Sequence, residues 1–389
     1  MSHLVVVARG TTFHGVGGME RHTEDLCAAL VGLGHQVSVV TTESPKLPKS
    51  ANGVVFFPVA GTRPNRYTGA WWRGLVPALT RLQETVGPID GVVSQSTAAQ
   101  SAVHWLVAKK MRLAYILHGS ARDIMRENRG MPSTRALLRY ILAAYYWRWN
   151  LKVLPEVPLL FAVGNDLAER LQRDFLAKGA AIRLRVLTNP VDTVSFCPGP
   201  KLEARRQLGL SHDQFLVGYS GRLTHAKGVD WIRRFAERQG SRLGLAAAIA
   251  GEGPLAATMK GQHLRYFGSL DKARLGQFYQ ALDVLLLPTR HREGVPLSVL
   301  EAMASGIPVV AFDSGGLREV MDIESGILVD PGDFEGFSRA VLRLQENEAE
   351  RAVMGRNARR RMLARPSWQE VAETVVKGLA DQGSGSHRD

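Results

Sequence analysis

Apolar positions along this chain change period in a repeating way. Residues 4–8, Leu4-Val5-Val6-Val7-Ala8, are a continuous apolar run, and glycines follow at 15–18. From the helix at 23–32 onward, Leu26, Ala29, Leu30 and Leu33 recur at helical spacing until Gly34, after which 36–41 are apolar again. An unbroken apolar run fits a strand buried on both faces, and a 3.6-residue period fits a helix covering it, so the segment predicts a βαβ unit. The first glycines are read as a turn over 15–21, ahead of a helix over 23–32. Further strands are predicted at 54–58, 91–94, 113–117, 159–163 and 185–188, with a helix at 166–175. A proline cluster over 189–200 interrupts the rhythm, which restarts with strands at 216–220, 246–250, 264–267, 284–287, 307–311 and 327–329. The pattern predicts an α/β protein of two Rossmann-like β/α/β domains with mainly parallel sheets.

At 389 residues the chain exceeds what one hydrophobic core serves, which agrees with two domains. The expected division is 1–195, 196–365, a C-terminal helix over 366–381 packing back toward the N-terminal domain, and a Gly/Ser-rich disordered tail at 382–389. Residues 135–153 predict a helix in which Leu137, Leu138, Ile141, Leu142, Tyr145, Tyr146, Trp147 and Trp149 alternate with Arg135, Arg139, Arg148 and Lys152. One reading is a buried domain helix whose cations reach out to water; the other is contact with a membrane surface or a lipid acceptor. The buried reading is preferred.

Charge narrows the partners. Forty-nine Lys and Arg against thirty-six Asp and Glu give a net +13, which favours anions such as nucleotide sugars or phospholipid headgroups. The basic residues are scattered, with no recognition helix, zinc-finger spacing or aromatic RNA-binding motif, so nucleic acid is not expected as a partner. Cys27 and Cys197 make no disulfide framework and sit in no metal-ligand spacing. No Asp-x-Asp pair and no histidine pair at i, i+2 or i+4 occurs, so neither a protein-bound metal nor another cofactor is expected. The N-terminal apolar run reads as a strand rather than a signal peptide, and no run reaches membrane-spanning length; the expected location is cytoplasmic, with peripheral contact at the inner membrane face left open.

The candidate chemistry concentrates in Arg292-Glu293-Gly294-Val295-Pro296-Leu297-Ser298-Val299-Leu300-Glu301. Pro296 suits a first helical turn, and backbone amides from Gly294 to Leu297 at the positive end of a helix would hold a diphosphate. Glu293 and Glu301 would accept hydrogen bonds from sugar and ribose hydroxyls on either side. Ser220-Gly221-Arg222-Leu223-Thr224-His225-Ala226-Lys227-Gly228 supplies two cations after a strand, suited to a departing diphosphate. Gly17 and Gly18 form a loop whose lack of side chains allows close approach, although it is not the full G-x-G-x-x-G fingerprint. His118, just past the strand at 113–117, falls where open α/β sheets present their ligands.

These segments resemble the retaining glycosyltransferases of family 4, which have the GT-B fold of two Rossmann-like domains facing across a cleft. The 293–301 segment resembles that family's Glu-x7-Glu motif, implying that Glu293 contacts the donor sugar and Glu301 the nucleotide ribose. Arg222 and Lys227 are implied to hold the donor phosphates, with the Gly17-Gly18 loop approaching the phosphates and acceptor and Gly221 binding the donor. His118 is placed near the reacting centre. The turns at Ala250-Gly251-Glu252-Gly253-Pro254 and Phe267-Gly268-Ser269-Leu270 resemble the family's nucleobase loops, implicating Gly251 and Leu270; both also read as plain strand-ending turns.

The expected activity is transfer of a sugar, with retention and without metal, from a nucleoside diphosphate sugar such as UDP-hexose or UDP-N-acetylhexosamine. The acceptor hydroxyl would belong to a small molecule, a glycan or a lipid-linked intermediate. The expected catalytic residues are His118, Arg222, Lys227 and Glu293; the expected donor-binding residues are Gly17, Gly18, Gly221, Gly251, Leu270, Gly294, Val295, Pro296, Leu297 and Glu301. A sugar-nucleotide epimerase on the same fold, or a non-catalytic nucleotide-sugar-binding protein, would use the same pocket.

Overall fold

The computed structural model describes residues 1–384 except Val16, Asn65 and 130–132. The chain divides into two compact units, Met1–Asn189 with Trp368–Asp389, and Pro190–Ser367. The first contains β1 (His3–Val7), α1 (Gly18–Gly32), β2 (Gln36–Thr42), β3 (Ser50–Ala51), β4 (Val54–Val59), α2 (Gly69–Val86), β5 (Gly91–Gln95), α3 (Val103–Ala108), β6 (Arg112–Leu117), α4 (Ala121–Asn128), α5 (Thr134–Val153), β7 (Leu159–Ala162), α6 (Asn165–Leu176) and β8 (Leu184–Val186). The second contains α7 (Lys201–Gln207), β9 (Phe215–Ser220), α8 (Val229–Leu243), β10 (Leu245–Ala250), β11 (Leu264–Tyr266), α9 (Lys272–Ala281), β12 (Val284–Leu287), α10 (Leu297–Ala304), β13 (Val309–Phe312), β14 (Gly326–Val329), α11 (Phe334–Glu346) and α12 (Glu348–Leu363). A last helix, α13 (Trp368–Ser384), returns to the first unit.

Each unit is built on one open sheet. The first runs β3-β4-β2-β1-β5-β6-β7-β8 and the second β11-β10-β9-β12-β13-β14. All pairings are parallel except β3 with β4. Parallel strands need helical crossovers on both faces, which is why β10 and β12 are apolar and buried along their whole length. Strand order reverses between β1 and β5 in one sheet and between β9 and β12 in the other. At such a reversal the loops leaving the two strands run to opposite faces and open a crevice at their carboxyl ends.

The first core joins strand residues such as Val6, Val93, Ile116 and Phe161 to Val371, Ala372, Val375 and Leu379 of α13, so the last helix completes that core. The Gln382 side chain adds two bonds to Leu113 of β6, accepting from its N–H at 2.9 Å and donating to its C=O at 3.1 Å.

Four expectations require correction. The glycine turn expected over 15–21 ends at Gly17, the residue before α1, and the helix has already begun at Gly18, bringing acidic Glu20 into its first turn where the helix dipole favours it. Pro296 does not occupy the first turn of α10 but immediately precedes it. Residues 382–384, expected in a disordered tail, are the last of α13, while 385–389 lie outside the described residues. The helix at 135–153 is present as α5, but Leu137, Leu138, Ile141, Leu142 and Tyr145 face solvent rather than the core; only Ala136, Ala143, Trp147, Asn150 and Val153 are buried.

Candidate donor and active site

In the second unit, β9 and β12 pair side by side, so the segments that leave their carboxyl ends run together. Arg290 N–H donates to the Ala226 carbonyl at 2.7 Å and joins them. Gly228 makes the crossing possible: its φ is +71°, and a Cβ there would lie 2.0 Å from the Pro288 carbonyl oxygen. Lys227 Nζ then reaches across to Glu293 Oε1 at 2.5 Å, and the buried Thr289 hydroxyl donates to the same oxygen at 2.7 Å. The Lys227 and Glu293 side chains keep 29% and 11% of their surface in contact with water, so this charge-assisted pair sits at the mouth of the crevice rather than in the core.

The main chain of Glu293 is clamped from behind. Gly316 N–H donates to its carbonyl at 3.1 Å. Gly315, at φ +63°, leaves so little room that a Cβ would meet that carbonyl oxygen at 1.7 Å. Eight residues on, Glu301 lies on α10 with only 4% exposure, and its Oε2 accepts from the Tyr279 hydroxyl at 2.7 Å. Gly294, Pro296 and Leu297 lie between the two glutamates and are half-buried, whereas the Val295 and Leu270 side chains belong to the core.

Arg222 points its side chain into solvent, while its carbonyl accepts from the buried Tyr219 hydroxyl at 2.9 Å. That hydroxyl is held far above its ordinary pKa, first by burial and then by the Glu293 carboxylate, with the Arg222 guanidinium acting in the opposite sense. Glu293 and Arg222 therefore both act on the surroundings of one hydroxyl. Gly221 N–H donates to Ala250 C=O at 3.1 Å, and Gly251 N–H to Gly268 C=O at 2.7 Å, aligning the turns after β9, β10 and β11 along one edge.

In the first unit, Gly17 and Gly18 open α1 just past β1. Glu20, buried in that first turn, lies 4.0 Å from Arg9. His118 follows β6, and its Nε2 is 2.7 Å from the Gln95 side-chain oxygen at the end of β5. Because that oxygen only accepts, Nε2 carries the proton and Nδ1 is the acceptor. The rings of His118 and buried His22 meet edge to face at 4.5 Å, and His22 meets Trp368 of α13 at 5.0 Å. Burial pushes His118 down to about 4 and lowers His22 as well, so both rings are neutral at pH 7.

Sequence reading did not single out Thr289, Tyr279, Tyr219, Gly315, Gly316, His22 or Gln95, which hold the candidate residues in place. Tyr279 and Gln95 reach partners 22 and 23 residues away, and Tyr219 and Thr289 reach partners three and four residues on through irregular turns, where no periodic spacing announces the contact. Among the described residues no three His, Cys, Asp or Glu side chains gather to hold a metal ion.

Comparison with known proteins agrees with this architecture. Residues 200–361 match the family model described as Glycosyl transferases group 1, and residues 16–195 match that of Glycosyltransferase Family 4. A GDP-mannose-dependent alpha-(1-6)-phosphatidylinositol monomannoside mannosyltransferase of Mycolicibacterium smegmatis is 32% identical over 279 residues, 64% of this chain and 72% of that protein. A GDP-mannose-dependent monoacylated alpha-(1-6)-phosphatidylinositol monomannoside mannosyltransferase of Corynebacterium glutamicum is 26% identical over 247 residues; the match covers 59% of this chain and slightly under two thirds, 64%, of that relative. Sucrose-phosphate synthase from Thermosynechococcus elongatus superposes with a TM-score of 0.81 over 99% of this chain and 100% of its own, at 20% identity, a likeness of fold. With both halves matched in order and two open parallel sheets on the GT-B plan, the chain belongs to the family 4 glycosyltransferases of group 1.

Proposed function

We propose that the protein transfers a sugar from a nucleoside diphosphate sugar to an acceptor hydroxyl with retention of anomeric configuration, using its own cations and amides in place of a metal. The observation that carries this reading is the Lys227–Glu293 pair, held by Thr289 at the strand-order reversal between β9 and β12. In the free enzyme the lysine and glutamate neutralise each other; a bound donor replaces that single contact with two. Lys227 turns to the diphosphate, joined by Arg222 and the amides near Gly294 and Leu297, while Glu293 accepts from the sugar hydroxyls. Charge accumulates on the leaving diphosphate as the glycosidic bond lengthens, so cations fixed there bind the transition state more tightly than the ground state.

Glu301, positioned by Tyr279, accepts from the ribose. The turns at Gly251 and Leu270 border the base, and Gly221, Gly17 and Gly18, lacking side chains, leave room for the donor. Neutral His118, acceptor at Nδ1, takes a hydrogen bond from a sugar hydroxyl. No side chain serves as nucleophile: the acceptor attacks on the face the diphosphate leaves, and a phosphate oxygen takes its proton.

The two mannosyltransferases named above are GDP-mannose-dependent, so a donor screen should include GDP sugars alongside the UDP-hexoses and UDP-N-acetylhexosamines that the sequence suggested. A nucleotide-sugar panel read by thermal shift identifies the donor, and turnover with small-molecule, glycan and lipid-linked acceptors follows. Glu293→Ala and Lys227→Ala should each lower turnover by about tenfold or more, the loss expected when one charge-stabilising group is removed. Unchanged rates in both would defeat the assignment.

A further inference from the structure

The exposed face of α5 has no partner within the described chain. Leu137, Leu138, Ile141, Leu142 and Tyr145 are each between 52% and 66% exposed, on a helix of 20 residues. At 3.6 residues per turn these five fall within an arc of about 140°, and buried Ala136, Ala143, Trp147 and Asn150 cluster on the opposite side. The stripe is thus a second apolar face, diametrically opposed to the one that packs on the protein. Ile124 of α4, the helix packed against α5, is also 45% exposed. Isolated exposed apolar residues are ordinary; a contiguous stripe of this size marks an interaction surface.

Two further features choose the occupant. Arg135 and Arg139 rim the stripe, Arg148 and Lys152 continue it toward the C-terminal end of α5, all four are exposed, and none is in an ion pair among the described residues. A second copy of the chain would bring the same four cations against them, in a protein already carrying +13, so self-association through this face is electrostatically opposed. Aromatic rings gather at the border as well: Trp149 stands 4.9 Å from Trp72 and 6.4 Å from Tyr146, with exposed Tyr145 5.7 Å from Tyr146. Apolar stripe, basic rim and Trp/Tyr border are the composition of a helix lying in a membrane interface, its aliphatic side chains among acyl chains and its cations at the headgroups. No helix of the described residues is long and apolar enough to cross a membrane.

We infer that the outward face of α5 docks the protein on an anionic bilayer surface, with Leu138 and Ile141 inserted at its centre. This inference goes beyond the transfer reaction, since binding is read without turnover.

The test is cosedimentation of the full chain with vesicles of phosphatidylcholine containing phosphatidylglycerol, or of phosphatidylcholine alone. Wild type should bind the anionic vesicles at least about tenfold more tightly than the neutral ones, and added salt should weaken that binding. A Leu138→Asp/Ile141→Asp variant, and separately Arg135→Gln/Arg139→Gln/Arg148→Gln/Lys152→Gln, should each lose about tenfold or more. Because these side chains are exposed, both variants should keep the wild-type circular dichroism and thermal midpoint. Absence of vesicle binding by the wild type, equal binding by the variants, or a wild-type dimer that Leu138→Asp/Ile141→Asp turns into monomers would each overturn the inference.

Discussion

At the scale of single residues, the candidate site is built from groups that are held in place rather than merely present. Gly315 is the sharpest case, because any side chain there collides with the carbonyl of Glu293. Gly315→Ala should cost roughly 1–3 kcal/mol in backbone strain, read by chemical denaturation, and should impair turnover beyond that cost because Glu293 moves. A second prediction concerns pH. His118 titrates at about 4 in the folded protein against 6.5 as the ordinary value, and His22 is lowered in the same way. The unfolded chain therefore binds more protons than the folded one between those values. Stability is full above pH 6.5 and falls as pH drops toward 4, by at most about 1.4 kcal/mol per pH unit for each histidine. Thermal midpoints measured from pH 7 to 4 should show this decline, and His22→Phe should shallow it; a flat profile would remove the claim that burial keeps these rings neutral. Lys227 and Glu293 were legible in the sequence because charge and strand-end position are local signals. Thr289, Tyr279 and Tyr219 were not: the first and last reach partners four and three residues on through irregular turns that no periodicity marks, and Tyr279 reaches a carboxylate on another helix.

Among the elements, strands were the most readable. Runs such as Val284–Leu287 are buried on both faces, so composition alone marks them, and most expected boundaries differ from the observed ones by one or two residues. Helix faces were harder. A 3.6-residue period shows that a helix has an apolar side, but not whether another element covers it, and α5 carries its longest apolar stripe toward water. The start of α1 was misplaced because Gly17 and Gly18 favour a turn by local propensity, which the tertiary packing of Leu26, Cys27 and Leu30 overrides. For α13 the consequence is testable. Burial of Val371, Val375 and Leu379 contributes roughly 6 kcal/mol at about 2 kcal/mol each, comparable with the whole stability of a typical domain. Removing 368–389 should therefore abolish cooperative unfolding of residues 1–189, as followed by circular dichroism; a truncated chain that unfolds with an unchanged midpoint would show that α13 is dispensable.

For the whole molecule, the chain is two separately cored units. Residues 190–367 expressed alone should show a single cooperative unfolding transition, because their core draws on no residue outside them. The central claim is that the crevice between β9 and β12 grips a diphosphate through Lys227 and its neighbours. It is tested most directly by calorimetric titration of nucleoside diphosphates, UDP and GDP, into the full-length protein and its Lys227→Ala variant. The preferred diphosphate should bind wild type, and the variant should lose about tenfold or more in affinity, as expected for removing a charged partner of a phosphate. Equal affinity of the folded variant and wild type would contradict it.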